Sequence, residues 1–267
     1  MRYGVRRALR SECRPTLTKS SFTVMASHRR KQELVTRRNL PHWYVPGAAH
    51  FVTYRLAGSL PRTVVEELQH RRKLLLSRLS RGESRCIERL RIHKQLFSAY
   101  DEYLDQHRDR EWLADPRVGK IVRDNLGHHD GRLYQLLAYC IMPNHVHLLI
   151  LPAGSPMVPD EEFAVGEVAD HASPLSRIMH SLKSYTATHA NRVLARTGPF
   201  WQRESYDHWV RDEEELERIV LYIRGNPVKA GLVREPQDWK FSSCSERFKR
   251  DGDVTGWLPE GPSPIVF

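Results

Sequence analysis

Apolar and polar positions along the chain change period several times, and each change marks an element. His50-Phe51-Val52-Thr53-Tyr54-Arg55-Leu56 alternates with the period of two that predicts a strand. From Arg62 to about Arg110 the apolar positions take helical spacing among many charges, at Val65, Leu68, Leu74, Leu75 and Leu79 and again at Leu90, Leu96 and Tyr100, which predicts a long charged helical hairpin. Asp115-Pro116 opens a further helix, Arg117 to Leu126, with Val118, Ile121 and Val122 inward. Two apolar runs follow, Leu133 to Ile141 and Met142 to Leu151, and Pro143-Asn144 between them reads as a tight turn joining antiparallel strands. Gly154 to Ser173 is rich in Pro, Gly and acids and predicts a mobile loop before a helix capped by Ser173-Pro174 and running to about Arg196. A strand is expected over Phe200–His208, and Asp212 then caps a helix over Glu213–Gly225, whose Leu216, Ile219, Val220 and Ile223 fall on one face.

Two polar residues interrupt this pattern where a buried strand is expected. In Met142-Pro143-Asn144-His145-Val146-His147-Leu148-Leu149-Ile150-Leu151 the histidines are two apart, so both imidazoles leave the same face, with about 6–7 Å between their Cα atoms. That spacing lets His145 and His147 close on one divalent metal. Val146, Leu148 and Ile150 take the opposite face and can pack into a core, while the histidine face is expected to stay open beside the hairpin turn, near the rim of a sheet.

In the last helix Tyr222 lies on the flank of the apolar stripe, and Asn226 follows four residues later on the same edge. Pro227 disfavours a helical Asn226, so the helix is expected to end at Gly225 and to present the amide outward. A phenol and an amide oxygen would then face one cleft.

Composition narrows the setting. The 267 residues carry 42 Lys+Arg against 32 Asp+Glu, a net charge of +10 that suits a polyanionic partner. The four cysteines, Cys13, Cys86, Cys140 and Cys244, form no Cys-x-x-Cys pair, which argues against a structural zinc site or a disulfide framework and for a reducing cytoplasm. No stretch approaches the roughly 18 apolar residues of a membrane span. The organisation read from these patterns is a basic disordered arm over residues 1–38, one domain over 39–248 with a helical insertion at about 62–110, and a tail over 249–267. The arm also resembles an organelle transit peptide, and Met25 is a candidate start.

Tyr222-Ile223-Arg224-Gly225-Asn226-Pro227-Val228-Lys229-Ala230-Gly231-Leu232-Val233, taken with Met142-Pro143-Asn144-His145-Val146-His147, resembles the single-tyrosine HUH transposases, and more closely their REP-associated branch. The likeness runs from about His42 to Phe248 and includes Phe200-Trp201-Gln202 and Asp238-Trp239-Lys240-Phe241-Ser242-Ser243. It implies an α+β fold: a ferredoxin-like antiparallel sheet carrying the histidine pair, helices packed on one face, and a nucleophilic tyrosine on a helix across the cleft. It also implies cleavage and rejoining of single-stranded, hairpin-forming DNA through a covalent 5′-phosphotyrosine. By position, His145 and His147 match the metal pair, Tyr222 the nucleophile and Asn226 the side chain that completes the metal site. The long helical segment and the basic arm depart from the smallest members of the family.

Mixed nitrogen and oxygen ligands suit Mg²⁺ or Mn²⁺. Tyr185, on the helix of Leu175, Ile178, Met179 and Leu182, is the rival nucleophile. Arg177, Lys183, Arg192 and Arg196 form a basic helix side, and with Arg203 they are candidates to track phosphates, while Trp43, Tyr44 and Trp201 are candidates to stack unpaired bases. Two other functions compete: a domesticated protein that binds a single-stranded DNA or RNA hairpin without cutting it, and a metal-dependent hydrolase, for which no carboxylate base is evident near the histidines. A homodimer is a further candidate partner, and the sequence leaves the oligomeric state open.

Overall fold

The computed structural model describes residues 34–37, 41–78, 84–107, 109–153 and 173–245. The basic arm up to residue 33, the loop over 154–172 and the tail over 249–267 lie outside these residues. Leu34–Arg37 (β1) and Pro41–Tyr44 (β2) form a two-stranded antiparallel ribbon, so the last residues assigned to the arm belong to a strand.

The main sheet contains His50–Arg55 (β3), Tyr134–Ile141 (β4), His145–Pro152 (β5) and Tyr206–Trp209 (β6) in the order β4-β5-β3-β6, every neighbouring pair antiparallel. Among the described residues five α-helices accompany it: Arg62–Ser77 (α1), Ser84–Gln106 (α2), Pro116–His129 (α3), Pro174–Val193 (α4) and Glu213–Lys229 (α5). The path β3, α3, β4, β5, α4, β6 through that strand order is the expected ferredoxin-like sheet, with α1 and α2 inserted after its first strand.

Alternation along β5 divides the molecule into layers. Val146, Leu148 and Ile150 join Val52, Tyr54 and Tyr139 in a core closed by Val118, Val122 and Leu126 of α3 and by Leu175, Ile178, Met179 and Leu182 of α4. These are the helices expected on one face. The other face, which carries the histidines, is covered as well: Phe51, Ala138, Cys140 and Leu149 pack with Phe97 of α2 and with Leu216, Ile219, Val220, Tyr222 and Ile223 of α5. Tyr44 and Trp201, candidates for base stacking, are core residues at 2% and 7% exposure, and the Trp201 indole donates to Thr186 Oγ1 at 2.9 Å. The Trp43 side chain lies outside the described residues.

Local chemistry explains the element ends. Pro143-Asn144 forms the two-residue turn, closed by the Met142 amide donating to the His145 carbonyl at 2.9 Å. The side chains of Asp115, Ser173 and Asp212 cap α3, α4 and α5 by accepting from Arg117, Ser176 and Glu215 amides. The strand expected over Phe200–His208 is shorter, beginning at Tyr206, because Trp201 meets the sheet only through a single bridge to Leu56. The free edge of β4 is covered by the C-terminal segment: the Ile141 amide donates to the Phe241 carbonyl at 2.9 Å, and the Trp239 indole donates to the Ile141 carbonyl at 2.9 Å.

This segment is held by a close approach at α3. A Cβ added at Gly119 would come within 2.7 Å of the Phe241 ring. Gly119→Ala is therefore expected to destabilise the fold by about 1–3 kcal/mol through overpacking. Chemical denaturation would measure the loss, and Phe241→Leu in the same chain should recover part of it.

Candidate metal and tyrosine centre

β5 and its turn set the histidines. His145 and His147 leave the same face, and their Nε2 atoms lie 3.0 Å apart. Each ring is oriented from behind. Asn144 Nδ2 donates to the carbonyls of Leu104 and His107, both at 2.8 Å, which leaves its Oδ1 to accept from His145 Nδ1 at 2.6 Å. That acceptor puts the proton of a neutral His145 on Nδ1 and turns the Nε2 lone pair toward His147. Burial, and then the neighbouring His147, push the His145 imidazole well below its ordinary pKa, so it is neutral at pH 7. His147 Nδ1 meets Thr53 Oγ1 at 2.8 Å.

The third member of the cluster comes from the helical insertion. Asp101 of α2 places Oδ1 3.3 Å from His147 Nε2 and 3.9 Å from His145 Nε2, and one ligand atom from each residue lies within 4.8 Å of the others. Burial opposes its ionisation, but the hydrogen bond with His147, with the Lys229 ammonium beside it, holds its carboxyl well below the usual carboxylate range. Two imidazoles and a buried carboxylate within this distance could hold a metal ion. A carboxylate thus stands where none was evident in the sequence.

Tyr222 and Asn226 reach the same place from α5. The Tyr222 ring lies 5.3 Å from the His147 ring, centroid to centroid, and is 7% exposed. Burial, followed by the charge of Asp101, pushes its phenol well above the ordinary tyrosine value, while Asn226 acts in the opposite sense from the next turn. Asn226 is 1% exposed, and neither of its side-chain polar atoms makes a well-formed hydrogen bond. A buried amide in that state fits a further ligand for a cation.

Two sequence expectations are corrected here. The histidine face is not open: His145 and His147 are 1% and 0% exposed, because Phe97 of α2 packs edge-on against Tyr222 and His147. The tyrosine helix does not stop at Gly225. It continues through Pro227 to Lys229, and the carbonyls of Asn226, Pro227 and Val228 accept from the amides of Ala230, Leu232 and Gly231. This extra turn puts Lys229 on the edge shared by Tyr222 and Asn226, at positions i, i+4 and i+7. Lys229 Nζ lies 2.8 Å from Asp101 Oδ2 and 3.0 Å from Asp105 Oδ2. Neither Asp101 nor Lys229 was singled out in the sequence. The signal for Asp101 was a carboxylate four residues after the inward-facing Phe97.

A second buried charge cluster joins α2 to α5. Glu215, 2% exposed, receives Lys94 Nζ at 2.8 Å, His208 Nε2 at 3.0 Å and Arg211 Nη2 at 2.8 Å. The predicted phosphate-tracking cations lie elsewhere. Arg177, Lys183 and Arg192 are on α4, across the sheet from the histidines, and Arg203 follows in the connection to β6. Lys183 donates to the carbonyls of Gln202 and Arg203, both at 3.1 Å, and Arg196 packs on the Trp112 ring. A cavity of about 560 Å³ opens there, lined by His180, Lys183, Ser184, Trp201 and Arg203. Tyr185, the rival nucleophile, is also on α4, stacked on His189 and 48% exposed.

No protein-family model matches this chain. It is 30% identical over 144 residues to the REP-associated tyrosine transposase of Escherichia coli K12, covering 51% of this chain and 70% of that protein. It is 34% identical over 125 residues to a Haemophilus influenzae protein assigned by name to the same family, covering 46% of this chain and 66% of that protein. A solved REP-associated tyrosine transposase bound to a REP hairpin aligns with a TM-score of 0.44 and 16% identity, over 83% of this chain and 95% of that one. Among the described residues no helix is long and apolar enough to cross a membrane.

Two predictions follow from this geometry. Asn144→Ala leaves His145 without its orienting acceptor and is expected to weaken Mn²⁺ binding about 10- to 100-fold, measured by calorimetric titration. For Glu215, burial opposes ionisation, but hydrogen bonds from His208 and Arg211, with Lys94 adding another, hold the carboxyl well below its ordinary value. Such a group contributes fully above its unfolded pKa and loses its contribution as pH falls through the folded one. Glu215→Gln should therefore cost about 2 kcal/mol at pH 7, with partly exposed partners discounting the full buried-pair value. In denaturation series the gap from the wild type should shrink progressively below about pH 4.5.

Proposed function

This chain belongs to the REP-associated tyrosine transposase family, and we propose that it cleaves and rejoins single-stranded, hairpin-forming DNA with Tyr222 as nucleophile and a divalent metal held by His145 and His147. The observation that carries the reading is the meeting of the histidine pair with Tyr222 and Asn226 in one buried centre, from two stretches of chain that the sequence separates widely.

Each group has a role in that reaction. A phosphodiester resists attack because of its own charge, and a divalent ion held by His145 and His147 would supply positive charge to neutralise and orient it. Tyr222 Oη attacks phosphorus: the Tyr–O–P bond forms, the P–O3′ bond breaks, and the proton lost by the phenol is balanced by the one gained by the leaving 3′-oxygen. The products are a 5′-phosphotyrosine and a free 3′-hydroxyl, and the reverse attack rejoins the strand. The phenol is protonated in the structure as it stands, since burial raises its pKa, so its ionisation depends on positive charge arriving beside it. Asn226 completes the ligand set from the same helix edge as Tyr222. Asp101 adds a carboxylate to the group.

DNA outside the scissile phosphate would be held by Arg177, Lys183, Arg192 and Arg203, whose layer also contains the cavity beside Trp201. The net charge of +10 supports a nucleic-acid partner of this kind. The hydrolase reading gains a nearby carboxylate in Asp101, but it leaves the buried tyrosine beside the histidines without a purpose.

Incubation with labelled single-stranded hairpin DNA and Mn²⁺ is expected to yield an SDS-resistant protein–DNA adduct. Tyr222→Phe and His145→Ala should abolish it, and Tyr185→Phe should not. Hairpin binding with no adduct in any chain would instead identify a non-cleaving binding protein.

A further inference from the structure

The centre is sealed as it stands. Asp101, His145, His147, Tyr222 and Asn226 are all 7% exposed or less, which leaves no route for a phosphodiester to the tyrosine. α2 provides the cover. Phe97 lies against Tyr222, His147 and Phe51, and the helix is fastened to α5 at both ends of the covering stretch, by Lys94 to Glu215 and by Asp101 and Asp105 to Lys229.

What Asp101 touches is informative. Its carboxylate meets the Nε2 side of the histidine pair with one oxygen and the Lys229 ammonium with the other, and it lies beside the Tyr222 hydroxyl. A metal position, a cation and the nucleophile are the surroundings that a scissile phosphate requires. We propose that Asp101 of α2 occupies the place of the scissile phosphate in the resting protein, and that DNA displaces α2 so that Lys229 takes the phosphate in exchange for Asp101.

This inference rests on the tyrosine-cleavage reading. It identifies Lys229 as a catalytic residue that contacts the phosphate and α2 as a segment that must lift. The exchange swaps one oxyanion for another, so Lys229 and the metal side of the histidines keep a negative partner throughout, and no buried charge is left alone. Phe97 is the large aromatic that the covering face places over the centre, and the fastenings of α2 to α5 are ionic, which an anionic strand can compete for, while the Asn144 hydrogen bonds hold only its C-terminal end. Lys229 is also positioned for the step, since its side chain is half exposed while both of its carboxylate partners belong to α2.

The test uses the full chain, Mn²⁺ and a pool of randomised single-stranded hairpin oligonucleotides. In Asp101→Asn, Mn²⁺ affinity without DNA is expected to fall about tenfold through loss of a resident ligand, while adduct formation at limiting DNA rises about tenfold as the covered state loses its anchor. Lys229→Ala should slow adduct formation at saturating DNA about 100-fold, and Lys229→Arg should restore most of it. Hydrogen exchange of the amides at 96–105 should speed up when the oligonucleotides are added to the wild type. Loss of the adduct in Asp101→Asn would make Asp101 a permanent ligand and overturn the proposal, as would full activity in Lys229→Ala or unchanged exchange over 96–105. If the wild type forms no adduct at all, the tyrosine reading fails, and the exchange data alone decide whether α2 lifts. Should Asp101→Asn or Lys229→Ala fail to fold, the exchange measurement on the wild type and the Lys229→Arg rate remain decisive.

Discussion

The amide of Asn144 is the joint on which this centre depends. It occupies the second position of a two-residue turn, where the backbone is already committed to reversing the chain between β4 and β5. Its nitrogen holds the carbonyls of Leu104 and His107 at the end of α2, and its oxygen fixes the tautomer of His145. An amide can do both because it carries two donors and an acceptor on one rigid plane. One side chain thereby ties the ligand strand to the helix that covers it, and satisfies a carbonyl that the helix end would otherwise leave without a partner.

Around that joint the protein buries more charge than a packed core ordinarily accepts. Asp101 and Glu215 are each about 2% exposed, yet both remain ionised because cations and imidazoles converge on them. These two carboxylates lie at opposite ends of the contact between α2 and α5, with Phe97 between them. The aromatic supplies apolar burial, and the ion pairs determine where along α5 the helix sits. Such contacts are geometrically demanding, and they are sensitive to a competing anion in a way that the core beneath α3 and α4 is not.

The two faces of the sheet accordingly do different work. Beneath α3 and α4 the packing is aliphatic and aromatic, and it buries the face of β5 opposite the histidines. Above it, the same strand presents histidines to a layer in which hydrophobic and charged groups alternate. The exposed cations of α4 and the cavity by Trp201 occupy the first layer, so a nucleic acid engaging both layers would have to pass around an edge of the sheet.

Much of the fold was legible in the sequence because it depends on local rules. The alternation in β3 and β5, the Pro143-Asn144 turn, and the caps Asp115, Ser173 and Asp212 each follow from residues a few positions apart, and so do the shared face of His145 and His147 and the shared edge of Tyr222 and Asn226. Where a local rule was outweighed, the competing term was tertiary. Pro227 did not end α5, because downstream amides from Ala230, Gly231 and Leu232 satisfied the carbonyls around it, and that continuation alone aligned Lys229 with Tyr222. The helical segment over 62–110 read as an addition to the domain, yet its α2 delivers Asp101, Phe97 and Lys94 to the centre. Nothing local to α2 states which strand it will cover, since a contact across more than forty residues is decided by packing and by the pairing of buried charges, and only the assembled structure determines both.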